Sequence, residues 1–150
     1  MAVKNNFNTG LPDHTVNGQV ARLLNSNNRL TKVHTVNTIT TSPVQYFVEL
    51  HGQTVVGCVG LISEPTMDKI VHLSVAQSAR RLGIGAKLLY TAIGNSMKDT
   101  IYMHIREDNV GSRRVATRTG FNAIAYIPKF NYNILTFCLF RRNNVSRNRS

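Results

Sequence analysis

Val75-Ala76-Gln77-Ser78-Ala79-Arg80-Arg81-Leu82-Gly83-Ile84-Gly85-Ala86 is the stretch that decides how this chain is read. An apolar run, Ile70-Val71-His72-Leu73-Ser74-Val75, leads into it, and a series at helical spacing, Ile84, Leu88, Leu89, Ala92, Ile93 and Met97, leads out of it. A strand therefore enters a turn rich in arginine and glycine, and the turn opens a helix. The first N–H groups of a helix have no partner within it and carry partial positive charge. Two glycines let such a backbone curl around a guest, and Arg80 and Arg81 add full charges. The expected guest is a phosphate or a pyrophosphate.

Two familiar phosphate loops do not fit the spelling. A P-loop ends in Gly-Lys-Ser/Thr, whereas Gly85 is followed by Ala86, Lys87 and Leu88, with no hydroxyl for magnesium. A dinucleotide fingerprint needs a third glycine where this chain has Leu88. What remains, Arg80-x-x-Gly83-x-Gly85 after a strand ending in Val75, resembles motif A of the GCN5-related N-acetyltransferases, the GNAT family. The resemblance continues downstream. Ile101-Tyr102-Met103-His104-Ile105-Arg106-Glu107-Asp108-Asn109 is similar to the family's fifth strand and the Asn after it, and Gly120-Phe121 matches the pair that ends the next helix. It covers about residues 44 to 140 and looks nearest to the ribosomal-protein N-terminal acetyltransferase branch.

The resemblance implies acetyl-CoA as co-substrate, with no metal. Its pyrophosphate would rest on Arg80, Arg81, Leu82, Gly83, Ile84, Gly85 and Ala86. Its pantetheine arm would pair with the main chain of Leu73 and Val75, which a splayed sheet leaves open, and would meet Asn109. Val75 would also give its backbone N–H to the thioester oxygen as that oxygen becomes negative. Arg113 and Arg114 either meet the 3′-phosphate or form a solvated face. An amine with a pKa of about 8 to 10.4 needs a base, and the branch's glutamate position holds His104, the favoured candidate. His72 is its rival, with Glu49, His51, Glu64 and Asp68 further options. Three departures stand out. Gln77 replaces a frequent Pro, Arg81 replaces a frequent Gly, and Ala116 occupies the place of the tyrosine that usually protonates the leaving thiolate. Tyr126, Tyr132 or a water could supply that proton. A thiolate of pKa ~8.5 also leaves tolerably without an acid.

The rest of the chain completes the order of elements. Asp13 caps a predicted helix with an apolar face at Val16, Val20, Leu23 and Leu24, stopped by Asn25 to Asn28. Residues 30 to 42 read as helix by the spacing of Val33, Val36 and Ile39, and as strand or loop by their threonines. Val44 to Leu50 and Thr54 to Ile62 form a hairpin around His51-Gly52-Gln53. The helix after the motif is predicted to about Lys98. A strand follows from Thr100 to Arg106, then a short helix capped by Asp108 or Asn109 and ended by Gly120. Phe121 to Ile127 and Tyr132 to Phe140 make a last hairpin. The fold class is α/β. The family's fold is expected, with a mixed, mostly antiparallel sheet of six to seven strands, helices on both faces, and a splay at the strand before the motif. Residues 1 to 140 form one acetyltransferase domain whose N-terminal strand is missing or atypical. Residues 141 to 150 form a basic tail, read as disordered.

Eighteen basic residues against seven acidic ones give +11 at pH 7 and a pI near 10.4. That charge suits a polyanionic cofactor, and it points to a protein or peptide amine substrate that is acidic or nucleic-acid-associated. Small polycationic amines such as aminoglycosides or polyamines fit it less well. No apolar run approaches the ~20 residues of a membrane span and no signal-peptide core is seen, so no membrane partner and a cytoplasmic location are expected. Cys58 and Cys138 form no metal-ligand pattern and read as buried thiols. Other readings are a catalytically impaired acyl-CoA-binding regulator, motivated by Ala116, and a nucleic-acid-associated protein, motivated by charge. A homodimer is compatible with all of them.

Overall fold

The computed structural model describes residues 13–27 and 33–141. The polar N-terminal stretch, Asn28 and residues 142–150 of the basic tail lie outside the described residues.

Helix α1 (Asp13–Asn27) buries Val16, Val20, Leu23 and Leu24, the face expected from their spacing, together with Ala21. The ambiguous segment resolves into a short helix, α2 (Val36–Thr41). Its threonines start the helix: the Thr35 hydroxyl accepts from the Thr38 N–H at 3.2 Å, and the Thr38 hydroxyl accepts from the Thr35 N–H at 2.9 Å. Strands β1 (Gln45–His51) and β2 (Thr54–Ser63) pair around Gly52, which has φ +63°. Strand β3 (Asp68–Val75) runs through a single 3₁₀ turn (Gln77–Ala79) into helix α3 (Ile84–Asn95). That helix stops before Lys98. The Ser96 N–H closes back on the Ile93 carbonyl, the Ser96 hydroxyl donates to buried Asp68 at 2.6 Å, and Met97 is 93% exposed. Strand β4 (Thr100–Arg106) matches its expected bounds. Helix α4 (Val110–Arg118) ends at Gly120, φ +102°, and β5 (Asn122–Pro128) and β6 (Asn133–Phe140) close the fold.

The six strands lie in the order β1-β2-β3-β4-β6-β5, and every neighbouring pair is antiparallel except β3–β4. The sheet is thus mostly antiparallel, with six strands. Two buried clusters fill its two faces. On one, α1 and α2 pack Val16, Val20 and Ile39 against Tyr46, Val48 and Cys58. On the other, Leu88, Leu89, Ala92 and Ala116 of α3 and α4 pack against Val59, Ile101, Met103 and Phe137. Each fully buried aliphatic side chain contributes about 1.5–3 kcal/mol.

The parallel seam is short. Only Asp68–Ile101, Lys69–Tyr102 and Ile70–Met103 are paired, while β4 pairs with β6 along its whole length. Beyond Ile70 and Met103 the two strands part, so the splay opens there. Arg141, the first residue of the basic tail, is tied to the domain. The Arg141 guanidinium donates to the Ile93, Ser96 and Lys98 carbonyls behind α3.

Candidate functional site

The splay has a left wall in β3, a right wall in β4 and a mouth at the start of α3. The left wall is bulged. Cys58 opposes Ser74 and Gly60 opposes Val71, so Val59 faces two residues, His72 and Leu73. His72 sits at φ +57°, unusual for a side-chain-bearing residue. Its ring packs on the α1–α2 side, with Nδ1 2.6 Å from the buried Tyr46 hydroxyl and its centroid 5.0 Å from that of His34. His72 therefore points away from Leu73 and Val75, which pack against the other cluster.

The pairing phase sets the direction of the backbone donors. The Ala76 N–H bonds the Val56 carbonyl at 2.8 Å, which makes Gly57–Val75 a non-hydrogen-bonded pair. Val75, and by alternation Leu73, turn their backbone groups away from β2 and toward the splay. The Val75 carbonyl already accepts from Asn27 Nδ2 at 2.9 Å and Arg80 Nε at 3.2 Å, and Arg80 Nη2 also donates to Asn27 Oδ1. Asn27, at the end of α1, was not expected here. It lies 48 positions from Val75, and no local pattern announces such a contact.

The mouth is built by two left-handed residues. Arg81 has φ +67° and Gly83 has φ +77°, and Gly83 is the N-cap of α3. The first bond of the helix runs from the Lys87 N–H to the Gly83 carbonyl, so the N–H groups of Ile84, Gly85 and Ala86 have no partner within the helix. Leu82 and the guanidinium of Arg81 are exposed beside them. The two glycines do different work. Gly83 supplies the conformation, while Gly85 supplies proximity: a Cβ there would lie 3.4 Å from Val115 of α4 and 4.0 Å from Val75. Asn109 caps α4, its Oδ1 accepting from the Ser112 N–H at 3.1 Å. Arg113 is not brought to the mouth. It lies about half a turn around α4 from Val115, donates to the Glu107 carbonyl, and lines a groove of about 690 Å³ with Arg114, Arg118, Phe121, Leu135 and Phe137.

On the right wall, His104 is the first residue of β4 past the last β3–β4 pair, at the apex of the splay. It is exposed on the sheet face opposite Ile101, Met103 and Ile105, which are buried. Its Nδ1 lies 3.0 Å from Thr136 Oγ1. Tyr102 stands edge-on to it, ring centroids 5.6 Å apart, and donates its hydroxyl to Glu64 Oε1 at 2.8 Å. Partial burial, then the nearby charges of Lys69 and Lys129, push the His104 pKa below its ordinary 6.5, and Glu64 opposes them. The imidazole is held neutral, able to accept a proton. Burial and the Glu64 carboxylate push the Tyr102 pKa up to about 12.

The remaining candidates scatter. Glu49 pairs with Lys87 at 2.9 Å, Asp68 is buried against Ser96 and Lys98, and His51 is exposed at the first hairpin. Ala116 is fully buried. Tyr126 shares a sheet face with Leu135, opposite to His104, and Tyr132 lies under Arg106 at 4.4 Å. Burial pushes the Cys58 thiol up to about 12 and also raises Cys138. Among the described residues no cluster of His, Cys, Asp or Glu could hold a metal ion, and no helix is long and apolar enough to cross a membrane.

The acetyltransferase (GNAT) family model matches residues 20–121. No curated protein matches the sequence. Solved structures with this fold include NAA60 of Arabidopsis thaliana in complex with a bisubstrate analogue, at 13% identity, covering 93% of this chain and 95% of that one with a TM-score of 0.69. The aminoglycoside 6′-N-acetyltransferase of Enterococcus faecium shares 14% identity over 84% of this chain and 90% of its own, TM-score 0.69. A GNAT family acetyltransferase of Elizabethkingia anophelis with acetyl-CoA bound shares 14% over 66% and 77%, TM-score 0.59. At these identities the likeness is one of fold.

Proposed function

The chain belongs to the acetyltransferase (GNAT) family, and from that premise we propose that it transfers the acetyl group of acetyl-CoA to a primary amine of a protein or peptide, a lysine or an N-terminus, by direct attack in a ternary complex. One observation carries this reading. The β3–β4 splay has unpartnered helix N–H groups at its mouth and a neutral histidine at its apex.

The diphosphate takes the N–H groups of Ile84, Gly85 and Ala86, with Arg80 and Arg81 as counter-charges. The pantetheine arm lies along Leu73 and Val75 as an added strand. The register bears on which of those two polarises the thioester. Carrying the register one step past the last pair, Ile70–Met103, sets His104 level with Val71, so Val75 is four residues, at most about 13 Å, further out, and Leu73 only about half that. Leu73, at the bulge, is the better N–H donor to the developing oxyanion, and Val75 fits the arm.

The amine nitrogen bonds to the carbonyl carbon, the C–S bond breaks, and the electron pair leaves on sulfur. His104 accepts the ammonium proton. Coenzyme A departs as a thiolate and takes its proton from water, since neither the place of Ala116 nor Tyr126 offers an acid. Both thiols of the chain are buried with raised pKa values, which supports direct transfer over an acyl-enzyme.

The test is thiol release from acetyl-CoA in the presence of peptides, polyamines and aminoglycosides, for wild type and His104→Ala. Amine-dependent release that falls by 10²-fold or more in the variant is expected. Equal rates across pH would remove His104 from the reaction. The buried Ala116 favours one second reading, an acyl-CoA-binding regulator, which predicts acetyl-CoA binding without amine-dependent thiol release.

A further inference from the structure

Lys69 and Lys129 flank the acceptor side of His104. Lys69 is the register partner of Tyr102 across the β3–β4 seam, and its Nζ lies 5.9 Å from the Tyr102 ring centroid, on the face that exposes His104. Lys129 comes from the other side, in the β5–β6 loop. Its N–H donates to the Tyr132 carbonyl at 2.8 Å, and Tyr132 stacks under Arg106, two residues along β4 from His104. Both ammonium charges are felt at the imidazole. Neither has a carboxylate partner among the described residues. Arg106, the third cation nearby, is already neutralised by Asp108 at 3.0 Å. Among the described residues, the carboxylate that acts on His104 is Glu64, which is held at the Tyr102 hydroxyl.

The face thus offers an anion beside the base and an unneutralised cation on either side. We infer that the acceptor is a peptide or protein N-terminus with acidic residues directly after its amine, and that Lys69 and Lys129 select it. This rests on the reading of His104 as the base. The cationic α-amine enters toward Glu64 and His104 and loses its first proton to solvent before attack, leaving His104 to take the second, and the following carboxylates meet Lys69 and Lys129. A second cation close to the amine, as in a polyamine, an aminoglycoside or a lysine-rich peptide, would face the same two charges and be repelled.

The experiment uses full-length protein and peptides of one length beginning Ser-Asp-Asp, Ser-Ala-Ala or Ser-Lys-Lys. It measures kcat/KM by thiol release and, separately, binding of the same peptides to CoA-loaded protein. The acidic peptide is expected to lead and the basic one to trail, by roughly fivefold per lysine at low salt. Lys69→Glu/Lys129→Glu inverts the order, and Lys69→Gln/Lys129→Gln flattens it should the double reversal fail to fold. Arg114→Glu/Arg118→Glu, an equal double charge reversal on α4 away from His104, leaves it unchanged. Equal use of the three peptides, preferential transfer to a polyamine, or an acidic preference that survives in both lysine variants overturns the inference. Lysine-dependent acidic binding with no thiol released upholds the selection and removes the catalytic reading. Transfer without charge preference does the reverse.

Discussion

Arg81→Gly separates two things that one residue does. Arg81 occupies the left-handed region at φ +67°, a conformation that costs a side-chain-bearing residue about 1–2 kcal/mol and glycine almost nothing. Glycine's greater freedom in the unfolded chain takes back about 0.4–1 kcal/mol. The exposed guanidinium has no ion pair among the described residues to lose. The variant is therefore expected to be more stable by about 0.5–1 kcal/mol, a rise of roughly 1–4 °C in Tm for a domain of this size. Cofactor binding moves the other way. A cation near a diphosphate in water-like surroundings is worth about 1 kcal/mol, so the Kd for coenzyme A rises about fivefold at low salt, and the difference shrinks as salt screens it. Thermal unfolding of the free protein and calorimetric titration with coenzyme A at two ionic strengths read the two effects apart. A lower Tm would show that the backbone is not strained at Arg81. An unchanged Kd at low salt would show that its charge faces solvent and no phosphate.

The pKa of His104 lies below 6.5, so the acid limb of kcat/KM is expected below that value. Lys69→Ala, which removes one of the charges that depress it, moves the limb upward, and Glu64→Gln moves it downward; a limb that ignores both would not belong to His104. The same depression means the folded state binds fewer protons than the unfolded one, so the His104 contribution to stability is complete above pH 6.5 and declines as pH falls through the folded pKa. Asp68→Ala removes the acceptor of the Ser96 hydroxyl and the Lys98 ammonium at a site with 5% of its side chain exposed. It should cost about 2–3 kcal/mol in urea unfolding, and a loss under 1 kcal/mol would deny the buried pair its role. A chain ended at Phe140 lacks the three carbonyl contacts of Arg141 and should be about 1–2 kcal/mol less stable than one ended at Arg141.

The elements that carried a periodic signal were legible. Thr100–Arg106 alternates buried and open residues, and its bounds were readable to the residue. The turn was legible as a glycine-rich helix start because its glycines are local, and Gly83 is the N-cap of α3. Failures came where long-range contacts decide. Met97 has the right spacing for the helix that precedes it, yet Ser96 leaves the helix to meet Asp68, which is 28 positions away. The threonines after Val33 left helix and strand both open, and the capping contacts of their hydroxyls make the segment a helix. Arg113 was itself a candidate for the 3′-phosphate, and the helix sets it about half a turn from Val115, in the groove it lines with Arg114 and Arg118. Lys69, Tyr102 and Thr136 gather at His104 only because β3, β4 and β6 are neighbours, a fact of sheet order that no single stretch encodes.

His72 and Arg81 are the non-glycine residues with positive φ among those described, and they bracket the segment that offers backbone donors to a ligand. Strained backbone persists only where its surroundings over-determine it. At His72 the surroundings are a ring set between Tyr46 and His34 on the α1–α2 face, and the product is a bulge that sends Leu73 into the splay. At Arg81 they are the close seat of α3 on Val75 and α4, which requires the turn to reverse within three residues before Gly83 caps the helix. Between these two points lie the N–H groups proposed to meet the acyl donor. Preorganisation of that kind is what lets backbone groups stabilise developing charge. The arginine at the second point adds charge to a position where glycine would relax more readily, so the strain at Arg81 and the proposed hold on the diphosphate rest on the same residue.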